Sequence, residues 1–207
     1  MIVNIALLTV TDTRTFDNDK SGAILVKKIE EANHNLIDRK ICKDNKEDIV
    51  LILKEWINKK NIDVVITTGG TGLTGRDITP EAIDEIADKQ IPGFGEVFRN
   101  ISLKTVGTSA IQSRACAVLA NGKYVFALPG SSGGVTDAWD GILKYQLDIN
   151  HKPCNFEAKV RLTGDLWWHL DWKNGSPISS LHVQLLNGHV KNITKFKLFL
   201  KKSRQGN

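Results

Sequence analysis

Apolar positions along the first 156 residues follow two alternating rhythms. The runs IVNIALLTV and IDVVITT are nearly continuous aliphatic stretches bounded by polar or glycine-rich segments, the pattern of strands covered on both faces. Between and after them the apolar residues recur at helical spacing. Leu25, Ile29 and Ala32 share one face in SGAILVKKIEEA, and Ile49, Ile52, Leu53, Trp56 and Ile57 share one in NKEDIVLILKEWINKK. Asn45 stands where the second of these helices needs an N-cap, with Asp48 at N3 in a box-like start. A weaker strand, LIDRKICK, lies between the two helices. Further on, Thr79 and Pro80 predict a helix start near residue 80, with Thr79 as N-cap, Pro80 at N1 and an Ile78/Ile83 staple. That helix should stop before Pro92. GFGEVFRNISL then sets Phe94, Val97, Phe98 and Ile101 on one face. ACAVLA, Asn121-Gly122 and KYVFALP read as a hairpin with a two-residue turn, and VTDAWDGILKYQLD as a helix with a Val135, Ala138, Trp139, Ile142 stripe. Strands alternating with helices predict an α/β fold with a largely parallel sheet.

The pattern changes after residue 156. Residues 157–207 hold three of the five tryptophans, Trp167, Trp168 and Trp172, and two Asn-Gly pairs between short apolar runs, which predicts a small β-meander. The chain therefore divides into a domain at 1–156 and a basic, Trp-rich extension at 157–207. The extension is small for a core of its own. Its charge changes the reading of the whole: the net +5 resides entirely in this segment, with nine Lys and Arg against three acids, while residues 1–156 are close to neutral. This argues against a nucleic-acid surface on the main domain. The basic tail reads as a partner-binding arm or as a solvated strand face. His169, His182 and His189 lack metal-ligand spacing. Cys42, Cys116 and Cys154 are an odd set without C-x-x-C spacing, so they are expected to be buried free thiols. No apolar run is long enough to span a bilayer, and MIVNIALLTV lacks a basic flank and a cleavage site, so a cytoplasmic protein is expected.

In an open parallel sheet the loops after successive strands meet in one crevice. Three such loops are unusual here: TDTR after the first strand, GGTGLTGRD after the third and PGSSGG after the last. Two are glycine-rich, which frees main-chain N–H groups to cradle a phosphate. Gly70 to Gly75 formally matches G-x-G-x-x-G, but the following helix begins too late for a dinucleotide site. Arg76 and Asp77 replace the Lys and Ser/Thr of a P-loop. Asp12, Asp44 and Asp77 each fall just past a strand end, a rim suited to Mg²⁺, which takes one or two carboxylates plus substrate phosphates. Arg76 beside Asp77 is placed to stabilise transferring phosphoryl charge. Taken singly, each aspartate also has a plain turn or capping role.

The segments TTGGTGLTGRDITPEA, PGFGEVFR, GTSAIQSRA and LPGSSGGVTDAW, in this order, resemble the MoaB/Mog family of molybdenum cofactor biosynthesis proteins, and among them the MoaB members most. The similarity runs from about Asn4 to Phe156. It implies the three-layer molybdopterin-binding α/β fold, a homotrimer or homohexamer, and recognition of a pterin bearing a dithiolene and a phosphate. Catalytic relatives adenylylate molybdopterin with Mg²⁺ and ATP, releasing pyrophosphate and passing the product to a molybdate-insertion protein. The resemblance implies that Asp44 and Asp77 hold Mg²⁺ and position the nucleotide. It places Gly69, Gly70, Thr71 and Gly72 in the phosphate and pterin cradle, Ser109, Ser113, Pro129, Gly130 and Ser131 on the pterin side, and Asp12 in the first loop, with Thr11 where relatives often carry Ser. The residues leave two readings open, an adenylyltransferase and a pterin carrier that performs no transfer. An adapter working through the basic tail is a third.

Overall fold

The computed structural model describes residues 2–152, 155 and 156 and, in backbone only, four short strands of the C-terminal segment. The chain divides into two compact units, Met1–Val160 and Arg161–Asn207. In the first unit β1 (Asn4–Val10), β2 (Asn35–Cys42), β3 (Val64–Thr68) and β6 (Lys123–Leu128) run parallel; β5 (Cys116–Ala120) pairs antiparallel with β6, and β4 (Lys89–Gln90) pairs antiparallel with β5. The sheet order is β2-β1-β3-β6-β5-β4.

The continuous apolar runs become central strands because alternate side chains feed two different cores. Ile5, Leu7, Val64, Ile66 and Phe126 point to one face, where α1 (Lys20–Glu31) adds Leu25 and Ile29, and α4 (Pro92–Val106) adds Phe94 and Phe98. α5 (Ser132–Ala138) completes this layer, continuing through a wide π-type turn at Trp139–Leu143 into Lys144–Gln146, with Val135, Ala138, Trp139 and Ile142 buried. Ala6, Leu8, Val65 and Val125 point to the other face, against Ile49, Leu53 and Trp56 of α2 (Lys46–Asn58) and Ala82 and Ile83 of α3 (Thr79–Ile86). The result is three layers. β2 lies at the edge, half-buried, and a register shift leaves Ile37 unpaired with β1, as edge strands tolerate.

Local chemistry matches the expectation at several places. The Asn45 side chain accepts from the Asp48 N–H at 3.0 Å, and the Asn121-Gly122 turn has positive φ at both residues, 48° and 72°. Three expectations need correction. Thr79 does not cap α3; its buried hydroxyl donates to the Gly69 carbonyl at 2.9 Å, and Ile78 precedes the helix without a side-chain cap bond. Val97 is 49% exposed, because the buried stripe of α4 runs through Phe94, Gly95, Phe98 and Ser102. α3 does stop before Pro92, as expected, ending at Ile86; the short β4, which the sequence did not predict, pairs with β5 in between. Cys42 and Cys116 are free but only half-buried, and Cys154 lies outside the described residues.

In the second unit Leu166–His169 pairs antiparallel with His182–Leu185, and Trp172–Lys173 with Ser176–Pro177. Both Asn-Gly pairs of this unit and His189 lie outside the described residues.

Asn121 combines a left-handed backbone with side-chain bonds to Ile57 O and Asn58 Oδ1, both at 3.0 Å. Asn121→Ala is expected to cost about 1–2 kcal/mol, a fall in thermal midpoint of about 2–8 °C. An unchanged melting curve would contradict this role.

Candidate functional site

Strand order reverses between β1 and β3, which opens a crevice at their C-terminal ends. A cavity of about 530 Å³ fills it, walled by the loops after β1, β3 and β6. Thr11, Gly69, Gly70, Thr71, Gly72, Asp77, Ser113, Pro129, Gly130 and Ser131 line it, joined by residues the sequence did not single out, among them Thr13, Arg14 and Gln112. Ser109 does not line it. It sits exposed in the helical turn Gly107–Gln112, which brings Gln112 and Ser113 to the cavity instead.

Two glycines make this geometry possible. Gly69 has φ 104°, and a Cβ there would collide with the Val10 carbonyl oxygen. Gly70 has φ 64°; a Cβ would collide with Thr79 Oγ1 and stand 2.7 Å from Asp44 Oδ1. The rest of the loop is braced from within and from outside. Asp77 Oδ2 accepts from the Thr74 N–H at 2.9 Å and the Thr74 hydroxyl at 2.6 Å. Burial alone would raise the Asp77 carboxyl, but these bonds, one from the Gly72 N–H and the Arg114 charge hold it below the usual range. Arg114 donates to Gly72 O at 2.7 Å and Asp77 O at 2.6 Å, so one guanidinium grips both ends of the loop while pairing with Glu81.

The three aspartates do share a rim. Asp12 Oδ1 accepts from the Asp44 N–H at 3.3 Å, and Arg76, 80% exposed, lies 3.8 Å from Asp12 Oδ2. Burial pushes the Asp44 carboxyl above its ordinary range; the Asp12 and Asp77 charges add to the rise, and Arg76 opposes it. Asp44 Oδ1 is buried without a hydrogen-bond partner. Of the three, Asp77 alone lines the cavity; Asp44 adjoins the glycine loop at Gly70. Among the described residues no three His, Cys, Asp or Glu side chains group so as to hold a metal by themselves. Mg²⁺ does not need such a group when phosphate oxygens and water complete its shell. An orphaned carboxylate oxygen among like charges fits a dication.

Sequence reasoning missed Arg14 and Arg114. Their partners include main-chain carbonyls far away along the chain, Gly130 O for Arg14 and Gly72 O and Asp77 O for Arg114, which side-chain spacing does not reveal; the one available signal was a lone arginine closing the loop after β1.

The profile described as a probable molybdopterin binding domain matches residues 6–148. Molybdenum cofactor biosynthesis protein B of Escherichia coli (strain K12) is 43% identical over 157 residues, covering 76% of this chain and 92% of that protein. The protein of the same name from Bacillus cereus is 44% identical over 146 residues, covering 70% and 86%. A crystal structure titled as molybdenum cofactor biosynthesis protein B superposes with a TM-score of 0.69 at 43% identity, covering 71% of this chain and 92% of that one. The tungsten cofactor synthesizing protein MoaB from Pyrococcus furiosus gives 0.62 at 36% identity, covering 69% and 91%.

Because folding raises the Asp44 pKa, ionising this carboxyl disfavours the folded state, and the associated stability is lost as pH rises through the raised value. Asp44→Asn should therefore raise the thermal midpoint at neutral pH, with the advantage shrinking on mild acidification. Thermal unfolding across that range checks it; a lower midpoint at neutral pH would contradict the like-charge account.

Proposed function

The chain belongs to the MoaB/Mog family of molybdenum cofactor biosynthesis proteins, and from that premise we propose that it binds molybdopterin in the crevice and adenylylates it with Mg²⁺ and ATP. A terminal phosphate oxygen of the pterin attacks the α-phosphorus of ATP in line. The bond from that phosphorus to the bridging oxygen breaks, and pyrophosphate leaves with the electron pair. The observation that carries the proposal is Asp44 Oδ1, buried and unpaired directly beside the positive-φ glycine Gly70 at the strand ends.

In this reading the chain contributes alignment and charge rather than a covalent nucleophile. The bare backbone at Gly69 to Gly72 offers amides to phosphate oxygens. Asp44 and Asp77 would hold Mg²⁺, which when bound neutralises charge on the triphosphate. Thr11, Ser113 and Ser131 offer hydroxyls to the pterin, while Pro129 and Gly130 shape its side of the crevice. Burial pushes the Cys42 and Cys116 thiols up to about 12 and about 11, which keeps both protonated at neutral pH and unsuited to attack. Assembly into a homotrimer or hexamer belongs to the same proposal. Val97, Leu103, Val106 and Ile111 leave apolar surface on α4 and the turn after it that is about half exposed or more.

A second reading, a carrier that holds the pterin without transfer, draws support from Asp77, whose Oδ2 is already committed to Thr74. Among the described residues no helix is long and apolar enough to cross a membrane. The experiment incubates the protein with molybdopterin and Mg-ATP and measures adenylylated pterin and pyrophosphate. Product is expected from the wild type, reduced about a hundredfold or more by Asp77→Asn. Pterin binding with no product favours the carrier, and full activity in the variant removes Asp77 from the mechanism.

A further inference from the structure

The lining of the crevice contains a single cation and a single anion among the described residues, Arg14 and Asp77. Arg14 is held in place before any ligand arrives. Its Nη1 donates to Ser21 Oγ at 3.0 Å and to Gly130 O at 3.1 Å, so it ties the loop after β1 to the loop after β6. The same nitrogen lies 3.9 Å from Asp19 Oδ1.

Asp19 does not need Arg14 for its own charge. It is 2% exposed and accepts from Thr9 Oγ1 at 2.6 Å, the Gly22 N–H at 2.9 Å and Arg39 Nη2 at 2.9 Å. At 3.9 Å the contact with Arg14 is too long for a charge-assisted hydrogen bond. A guanidinium has five N–H donors, and both hydrogen bonds of Arg14 use Nη1. The Nη2 and Nε donors therefore remain uncommitted on a side chain 36% exposed to the crevice mouth and solvent. A positioned cation with a spare planar fork matches the oxygens of a phosphate dianion better than any neutral group in the lining.

We propose that Arg14 reads a ligand phosphate on the β1–β6 side of the crevice, a specificity contact separate from the glycine-loop amides. The inference rests on the reading of the crevice as a pterin and nucleotide site, and two sources share the chemistry: the pterin monophosphate and the nucleotide triphosphate.

Titration calorimetry of wild type, Arg14→Gln and Arg14→Lys, with molybdopterin and with Mg-ATP in separate arms, tests it. Arg14→Gln is expected to weaken one of the two ligands by about tenfold to a hundredfold, Arg14→Lys by less, and the arm affected identifies the source. Raising the salt concentration should weaken that ligand more for wild type than for Arg14→Gln, since only the wild type retains the charge contact. Unchanged affinity for both ligands overturns the proposal. So does equal weakening of both by Arg14→Gln and Arg14→Lys at all salt concentrations, which would mark Arg14 as a loop brace only. Failure of the wild type to bind either ligand is a different result, because it removes the functional reading of the crevice itself.

Discussion

Gly69 follows β3 directly while Val10 ends the neighbouring parallel strand β1, and the chain bends at Gly69 into the space directly over the Val10 carbonyl. Only a residue without a Cβ fits there, and only glycine holds a φ of 104° without strain. The remaining walls of the crevice follow from this close approach. Gly70 continues the turn toward Asp44, Gly130 packs its Cα region against Gly69, and Thr79 secures the Gly69 carbonyl from below. Three loops from distant parts of the sequence thus share one small volume of backbone, which accounts for a cavity forming where the strand ends carry threonines, Thr9 and Thr68 among its lining.

The charges around that volume are not arranged for stability. Asp12 and Asp77 both set their charge against the Asp44 carboxyl across a partly buried rim, and Arg76 answers it only from solvent. A fold selected for stability alone would replace at least one with a neutral residue. Retained like charges beside bare amides describe a site whose electrostatics are completed by a cationic and an anionic ligand together. Arg14 and Arg114 play contrasting parts in this scheme. Arg114 spends its donors on loop carbonyls and Glu81, so it fixes shape; Arg14 keeps donors in reserve.

Much of the fold was legible in the sequence because burial on two faces writes itself as continuous apolar runs, as in β1 and β3, and because Asn45 and Asn121-Gly122 carry local instructions that need no partner. Elements without such a signature were lost. β4 is two polar residues, Lys89 and Gln90, and exists only because β5 offers an open edge. Thr79 looked like a cap because its neighbours are those of a helix start, whereas the competing acceptor, Gly69 O, is ten residues away. In the site, the glycines and aspartates were readable from their positions after strands. Ser109 is not among the lining residues; it lies in the tight helical turn after α4, and Gln112 and Ser113 at the end of that turn reach the cavity.

The central claim is that the backbone at the ends of β1 and β3 receives phosphate oxygens while the adjoining carboxylates face a divalent cation. A crystal soaked with Mg-ATP measures this directly. The account predicts triphosphate oxygens within hydrogen-bonding distance of main-chain N–H groups in the Gly69 to Gly72 segment, with Asp44 or Asp77 in contact with the metal. Nucleotide bound at another surface, or a triphosphate in the crevice with both carboxylates turned away from the cation, would contradict it.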